Sequence, residues 1–185
     1  MDTDASDDAP DADGGADADT EGHPARIDSV RVAGTPNGPV PVVLIAVTVG
    51  GTDSAGGPEG PLTGEVLPVF IGFEEARSII RGMDAESPGR PMTHDLTLDI
   101  VEELGGRVDR VAVSRLEAGT FFADLRLNTP RADVTVDARP SDSLALAART
   151  NAPLVVAPDV WESAAENADR FAELDDIREV FEDDE

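Results

Sequence analysis

A run of alternating side chains in the second half of the chain constrains its fold more than any other feature. Between residues 121 and 128, apolar and polar side chains alternate, and the apolar ones are Phe121, Ala123, Leu125 and Leu127. A period of two predicts a strand with one buried face and one solvated face. Short turns at 117–119 and 129–131 join this strand to two more, at 111–113 and 133–139. Tight turns connect antiparallel strands, so we expect consecutive hairpins, with Val134, Val136 and Ala138 facing inward.

The remaining elements complete an α+β pattern. Strands are predicted near 27–32, 40–49, 65–71 and 153–157, and helices over 73–83, 93–104, 140–150 and 159–168. In the second helix we expect Thr93 as the N-cap, followed by an apolar stripe of Leu96, Ile100, Val101 and Leu104. Strands outnumber helices, which predicts a mixed, largely antiparallel sheet with helices packed against it.

The charge is concentrated at the two ends of the chain. Of the 39 acidic residues, nine lie in residues 1–22 with no base, and eight lie in residues 173–185 beside Arg178 alone. Residues 1–22 contain too few apolar side chains for their burial to offset the entropy that the segment would lose on becoming ordered. We therefore predict a disordered acidic tail over residues 1–24, a folded domain over 25–168 and an acidic C-terminal segment over 169–185.

The composition excludes several kinds of site. Cysteine is absent, which excludes disulfides, thiolate nucleophiles, iron–sulfur clusters and zinc sites built on sulfur, and two histidines exclude a three-histidine zinc site. The start of the chain has no signal-peptide pattern, and the longest apolar stretch, 39–49, is about half a membrane span. These features predict a cytoplasmic protein without a membrane partner.

All 14 basic residues are arginines, and the formal net charge is −25. An acidic, lysine-free composition is typical of proteins from salt-in halophiles; the alternative is an acidic interaction tail on an ordinary protein. At molar salt the Debye length is about 3 Å, so charge repulsion is screened. The net charge therefore does not exclude a nucleic-acid substrate.

Two motifs place polar side chains where a helix begins. The first runs from Arg90 to Asp95 and the second from Asp137 to Ser143. Helix N-termini offer backbone N–H groups to anions such as phosphate, and an arginine fork can clamp the same group. Carboxylate oxygens suit Mg²⁺ or Mn²⁺, and a histidine can act as general base or ligand. The alternatives are ordinary helix caps and solvated acidic faces.

These motifs belong to a wider resemblance to the bifunctional nuclease domain family, which extends over about residues 26–162. The matching segments are Leu67–Gly72 with Glu75, Ala76 and Ile79, then Arg90–Leu96, Leu104–Gly106, Gly119–Ala123, Asp137–Ala147 and Ala152–Val156. The resemblance implies an α+β domain, a dimer, and the degradation of both DNA and RNA that is attributed to plant members.

The leading hypothesis is a nuclease that hydrolyses phosphodiester bonds of RNA and DNA with help from Mg²⁺ or Mn²⁺, acting as a homo-oligomer, most simply a dimer. The candidate catalytic residues are His94, Asp95, Asp137 and Asp142, the three aspartates also being the candidate metal ligands. Arg90, Arg139 and Ser141 are the candidate substrate-binding residues. The alternatives are a non-enzymatic regulatory module that binds an anion or a partner, and a dimeric scaffold.

Overall fold

The computed structural model describes residues 22–49, 52–53, 64–86 and 89–182. The predicted disordered tail lies outside the described residues except for its last three, two of which begin the first strand. Most of the segment between the strands predicted near 40–49 and 65–71 also lies outside them.

The described residues form strands and helices in the predicted order. The strands are β1 His23–Thr35, β2 Gly38–Val49, β3 Thr52–Asp53, β4 Glu65–Phe70, β5 Arg107–Glu117, β6 Thr120–Asn128, β7 Asp133–Ala138, β8 Leu154–Val156, β9 Glu166–Asn167 and β10 Asp175–Asp176. The α-helices are α1 Phe73–Met83, α2 Thr93–Glu103, α3 Pro140–Thr150, α4 Pro158–Ala164 and α5 Ile177–Glu182, with a 3₁₀ helix at Ala168–Phe171.

The strands form a mixed sheet in the order β7-β6-β5-β8-β1-β2-β4-β9, with β3 beside β2 and β10 beside β1. The pairing of β5 with β8 is parallel, and the other pairings are antiparallel. The predicted hairpins are present, because β5 pairs with β6 and β6 pairs with β7. The α+β class and the largely antiparallel sheet are therefore confirmed.

The central strands are buried on both faces, which explains why residues 40–49 are apolar without alternation. Val43 and Ile45 contribute to the main core with α1 and α3, whereas Val42 and Leu44 pack with Phe171 on the opposite face. Part of the acidic C-terminal segment thus covers the second face of the sheet, and Ile177 of α5 is buried in the main core.

Two expectations about local structure need correction. Val134 and Val136 lie opposite Leu127 and Leu125 of β6, so they share the core-facing side of the sheet as expected, but they are 43% and 40% exposed because β7 is the edge strand. Thr93 was expected to be the N-cap of α2, but Met92 occupies that position. The Asp95 carboxylate accepts a hydrogen bond of 2.9 Å from the Met92 backbone N–H, and this contact sets the start of the helix one residue earlier.

Helix α2 lies on the surface of the domain. It has no fully buried residue, and its apolar stripe is exposed: Leu96 by 52%, Ile100 by 51% and Leu104, just after the helix, by 75%. No helix in the described ranges is long and apolar enough to cross a membrane.

Helices α1 and α3 pack closely against each other over the sheet. A Cβ atom on Gly82 of α1 would lie 2.9 Å from the Cβ of Ala148 in α3, so this approach requires glycine. Leu144 of α3 is completely buried between these layers. This packing holds the polar first turns of α1 and α3 next to each other.

We expect Leu144→Ala to lower the free energy of unfolding by about 2–5 kcal/mol, because it leaves a cavity in the core. Val134→Ala, a change at an exposed position of the edge strand β7, is expected to cost less than about 1 kcal/mol. Urea unfolding at a fixed molar KCl concentration measures both values. Equal losses in the two variants would contradict this assignment of core and surface.

Candidate functional site

The two sequence motifs meet where the first turns of α2 and α3 come together beside α1. The start of α3 contacts the start of α1, because Arg139 Nη1 lies 3.4 Å from Glu75 Oε1. The ends of the same helices meet at Gly82 and Ala148, so α1 and α3 run in the same direction. The first turn of α2 reaches both helices through His94 and Asp95, as the contacts below show.

His94 connects the first motif to the second. Its Nδ1 atom lies 2.8 Å from the hydroxyl of Ser78 on α1, and its Nε2 atom lies 3.3 Å from Oδ1 of Asp142 on α3. The side chain of His94 is 19% exposed. The two ring nitrogens therefore have different partners: Nδ1 faces a hydroxyl and Nε2 faces a carboxylate.

Arg139 holds the carboxylate of Asp142 from the other side. Its Nε and Nη2 atoms donate to Oδ2 and Oδ1 of Asp142 at 2.8 and 3.0 Å. These hydrogen bonds lower the pKa of Asp142 below its ordinary value of 3.8, although burial acts in the opposite direction. The same contacts raise the pKa of Arg139. The result is a continuous polar chain of Ser78, His94, Asp142, Arg139 and Glu75.

Asp95 has a separate partner and fixes α2 in place. Its carboxylate accepts a 2.6 Å hydrogen bond from Nε of Arg149, which also donates to the carbonyls of Ser78 and Ala145. Burial acts to raise the pKa of Asp95, but the hydrogen bonds from Arg149 and Met92 outweigh it, and the pKa is lowered. Arg149 thus ties together α1, α2 and α3.

A cleft of about 380 Å³ lies at the starts of α1 and α3. Glu75, Arg139, Ser141 and Thr120 are among its polar lining residues, and Phe70 and Phe121 are among the apolar ones. The N-terminal ends of both helices border it, and such ends carry partial positive charge. The guanidinium of Arg139 is available to a ligand there, since its side chain is 66% exposed.

The structure separates the remaining predicted residues from this cluster. Asp137 lies on the exposed side of β7, where its Oδ1 atom is 3.4 Å from Nη2 of Arg115. Arg90 is exposed in the segment that precedes α2.

The three candidate metal ligands are each paired with a different arginine: Asp95 with Arg149, Asp137 with Arg115, and Asp142 with Arg139. Within the described part of the chain, no group of three or more histidine, aspartate or glutamate side chains is arranged to hold a metal ion. These residues therefore do not fit a preassembled metal centre, and Mg²⁺ or Mn²⁺ stays a prediction from the sequence.

Sequence reasoning missed three members of the cluster, Glu75, Ser78 and Arg149. The helical period of α1 places Glu75 and Ser78 one turn apart on one face. It does not indicate that this face meets α3, whose contact residues follow more than 60 positions later. Only the packing of α1 on α3 reveals these partners.

A known protein family matches this whole region of the chain. The profile of the bifunctional nuclease domain matches residues 61–169, which include α1, α2, α3 and both motifs. Two curated proteins of Mycobacterium tuberculosis, MT1877 and Rv1829, are similar to the chain, and both are described as uncharacterized. Each is 35% identical over 126 residues, which is 62% of this chain and 75% of the relative.

We expect Asp95→Asn to lower the melting temperature at neutral pH, because Arg149 loses its carboxylate. The folded pKa of Asp95 lies below the ordinary 3.8, so its stabilising contribution is complete above about pH 4 and disappears as the pH falls through the lowered value. The difference in melting temperature between the variant and the wild type should shrink over that acidic range.

The matched control is Asp99→Asn, which changes an exposed carboxylate one turn further along α2. Thermal unfolding is followed by circular dichroism from pH 7 to pH 3 at constant KCl. A pH-independent difference for Asp95→Asn, or an equal effect of Asp99→Asn, would contradict the assignment.

Proposed function

The chain belongs to the bifunctional nuclease domain family, and from this membership we propose that it hydrolyses phosphodiester bonds of RNA and DNA. The reaction is placed at the cleft between the starts of α1 and α3. The observation that carries the proposal is the polar chain beside this cleft, in which His94 of one motif meets Asp142 and Arg139 of the other.

Arg139 is the proposed phosphate-binding residue. A guanidinium can donate two parallel hydrogen bonds to a phosphate, and the N-terminal ends of α1 and α3 add partial positive charge. When no substrate is bound, the guanidinium of Arg139 donates hydrogen bonds to the carboxylates of Glu75 and Asp142. A bound phosphate competes with these two carboxylates for an exposed arginine, and Ser141 lines the same cleft.

His94 is the proposed general base. Asp142 accepts hydrogen bonds only, since it is ionised at neutral pH, so a neutral His94 donates to it from Nε2–H. The lone pair then lies on Nδ1, the nitrogen that faces Ser78. When His94 takes up a proton, the carboxylate of Asp142 stabilises the resulting imidazolium.

Three details of the proposal come from the sequence alone: the cation, the kind of nucleic acid and the environment of the protein. Assistance by Mg²⁺ or Mn²⁺ is based on the pattern of Asp95, Asp137 and Asp142, and no step above is assigned to the cation. The use of both DNA and RNA follows the family resemblance. The cytoplasmic location and the molar-salt environment follow the composition.

The test is cleavage of RNA and single-stranded DNA by the full chain in molar KCl, with Mg²⁺, with Mn²⁺ and with EDTA. We expect His94→Ala, Asp142→Asn and Arg139→Ala each to lower the rate by about 100-fold or more, because they remove the base, the carboxylate that stabilises its protonated form and the phosphate-binding guanidinium, respectively. Asp159→Asn, an exposed acidic position in the first turn of α4, should cleave at the wild-type rate.

Wild-type rates in all three site variants would contradict the placement of the reaction. Loss of cleavage in Asp137→Asn would instead support the three-aspartate site predicted from the sequence. A rise in melting temperature with phosphate, without any cleavage by the wild type, would favour the non-enzymatic anion-binding module.

We also propose that the chain forms a homodimer through α2. Met92, Leu96, Ile100 and Leu104 are spaced four residues apart and are all about half exposed or more, which makes one apolar stripe along the helix. Exposed apolar surface of this kind is typical of protein interfaces. The proposed occupant is the same stripe of a second copy, because a twofold axis across α2 pairs the stripe with itself.

Acidic residues flank the stripe, so association should require salt that screens their repulsion. We expect a dimer in molar KCl that dissociates in Ile100→Asp. Ala172→Asp, which adds the same charge at an exposed position elsewhere, should stay dimeric. Light scattering after size-exclusion chromatography measures the mass, and a monomeric wild type in molar KCl would contradict the proposal.

A further inference from the structure

We propose that Ser78 is a nucleophile, and that Ser78, His94 and Asp142 form a catalytic triad for cleavage of phosphate esters. This inference rests on the proposed function for the identity of its substrate. Its foundation is the geometry of the three side chains, in which the imidazole of His94 lies between the serine hydroxyl and the carboxylate at 2.8 and 3.3 Å. Such triads are recognised by geometry and roles rather than by sequence order. The two ring nitrogens are exchanged relative to the serine-protease triad, because here the serine faces Nδ1 and the carboxylate faces Nε2.

The direction of the hydrogen bonds suits proton transfer from Ser78. Nε2 of neutral His94 donates to Asp142, so Nδ1 is an acceptor and the hydroxyl of Ser78 is the donor. The hydroxyl proton therefore already points to the nitrogen that would remove it. This arrangement activates a serine, which is otherwise a weak nucleophile.

The hydroxyl of Ser78 differs from other hydroxyls in the helices of this chain. Thr97, Thr150 and Ser163 each donate to the carbonyl four residues earlier, at 2.7, 2.9 and 2.7 Å. That local bond is the usual arrangement for serine and threonine inside helices. The hydroxyl of Ser78 is instead engaged across the helix interface with a residue 16 positions away.

Ser78 lies one helical turn from a residue of the proposed phosphate site. Glu75, one helical turn earlier on the same face of α1, lines the cleft together with Arg139. Ser78 itself is only partly buried. When a phosphate draws Arg139 away from Asp142, the carboxylate keeps its contact with His94 and supports the imidazolium that forms during attack.

The proposed reaction has two steps. In the first, Ser78 Oγ bonds to phosphorus while its proton passes to Nδ1 of His94, and the bond from phosphorus to the leaving oxygen breaks. Attack and departure lie in line, so the leaving oxygen is on the far side of phosphorus and takes a proton from solvent. In the second, a water molecule attacks phosphorus and loses a proton to solvent, the Oγ–phosphorus bond breaks, and Ser78 Oγ takes back the proton held on Nδ1 of His94. The products are a phosphomonoester and an alcohol.

A fluorophosphonate probe tests the nucleophile without nucleic acid, because the serine oxygen displaces fluoride and keeps the phosphorus. The full chain in molar KCl is treated with an alkyl fluorophosphonate that carries a fluorescent reporter, and the modified residue is located by mass spectrometry. We expect an adduct on Ser78, none in Ser78→Ala, and labelling at least about 10-fold slower in His94→Gln. Ser163→Ala, the matched control, should be labelled like the wild type.

The absence of an adduct on Ser78 in protein with a wild-type circular dichroism spectrum would overturn the proposal. Equal labelling rates in His94→Gln and the wild type would also overturn it, because the base would then have no role. Alanine favours helices, so Ser78→Ala is expected to fold.

The nuclease assay separates this inference from the proposed function. If Ser78→Ala cleaves RNA at the wild-type rate while His94→Ala does not, the nuclease stands and the serine nucleophile is overturned. If Ser78 is labelled in a His94-dependent manner but the wild type cleaves no nucleic acid, the triad is supported and its substrate is another phosphate ester.

Discussion

The position of α2, and with it the candidate site, depends on the side chain of Arg149. Helix α2 has no fully buried residue and leaves its apolar stripe exposed, and a single partly buried side chain, Leu98, packs it against the main core. Arg149, whose side chain is only 10% exposed, donates to Asp95 on α2 and to a backbone carbonyl on each of α1 and α3. Because Asp95 follows His94 directly, the same clamp holds the imidazole between Ser78 and Asp142.

The abundance of carboxylates explains why residue types alone misdirect the search for a metal site. In a chain with 39 acidic residues and 14 arginines, many aspartates lie near a helix start or a strand end by composition alone. The three candidates selected on this basis each have an arginine partner in the structure. A carboxylate paired in this way already has its charge compensated, and a cation would have to displace a guanidinium to bind it.

The sequence predicts the elements well and their mutual contacts poorly. The helical period predicts α1 over residues 73–83, and alternation predicts the hairpins of β5, β6 and β7, because these signals are local. The face of β7 that carries Val134 is predicted correctly but its burial is not, since alternation identifies the two faces of a strand and does not reveal that β7 lies at the edge. Ser78 was missed for a related reason: its partner His94 is brought to it by α2, through contacts that no period encodes.

Two arginine–aspartate pairs differ in burial, and we expect their roles to differ for this reason. Arg149 and Asp95 are 10% and 23% exposed, so water competes little for their hydrogen bonds and the pair holds helices together. Arg139 is 66% exposed, so water competes for its two hydrogen bonds to Asp142. A phosphate that reaches Arg139 would compete with Asp142 without disturbing the packing of the helices, whereas an equivalent exchange at Arg149 would remove a contact that holds α2. The pair that is open to water is for this reason the one that an anion can reach.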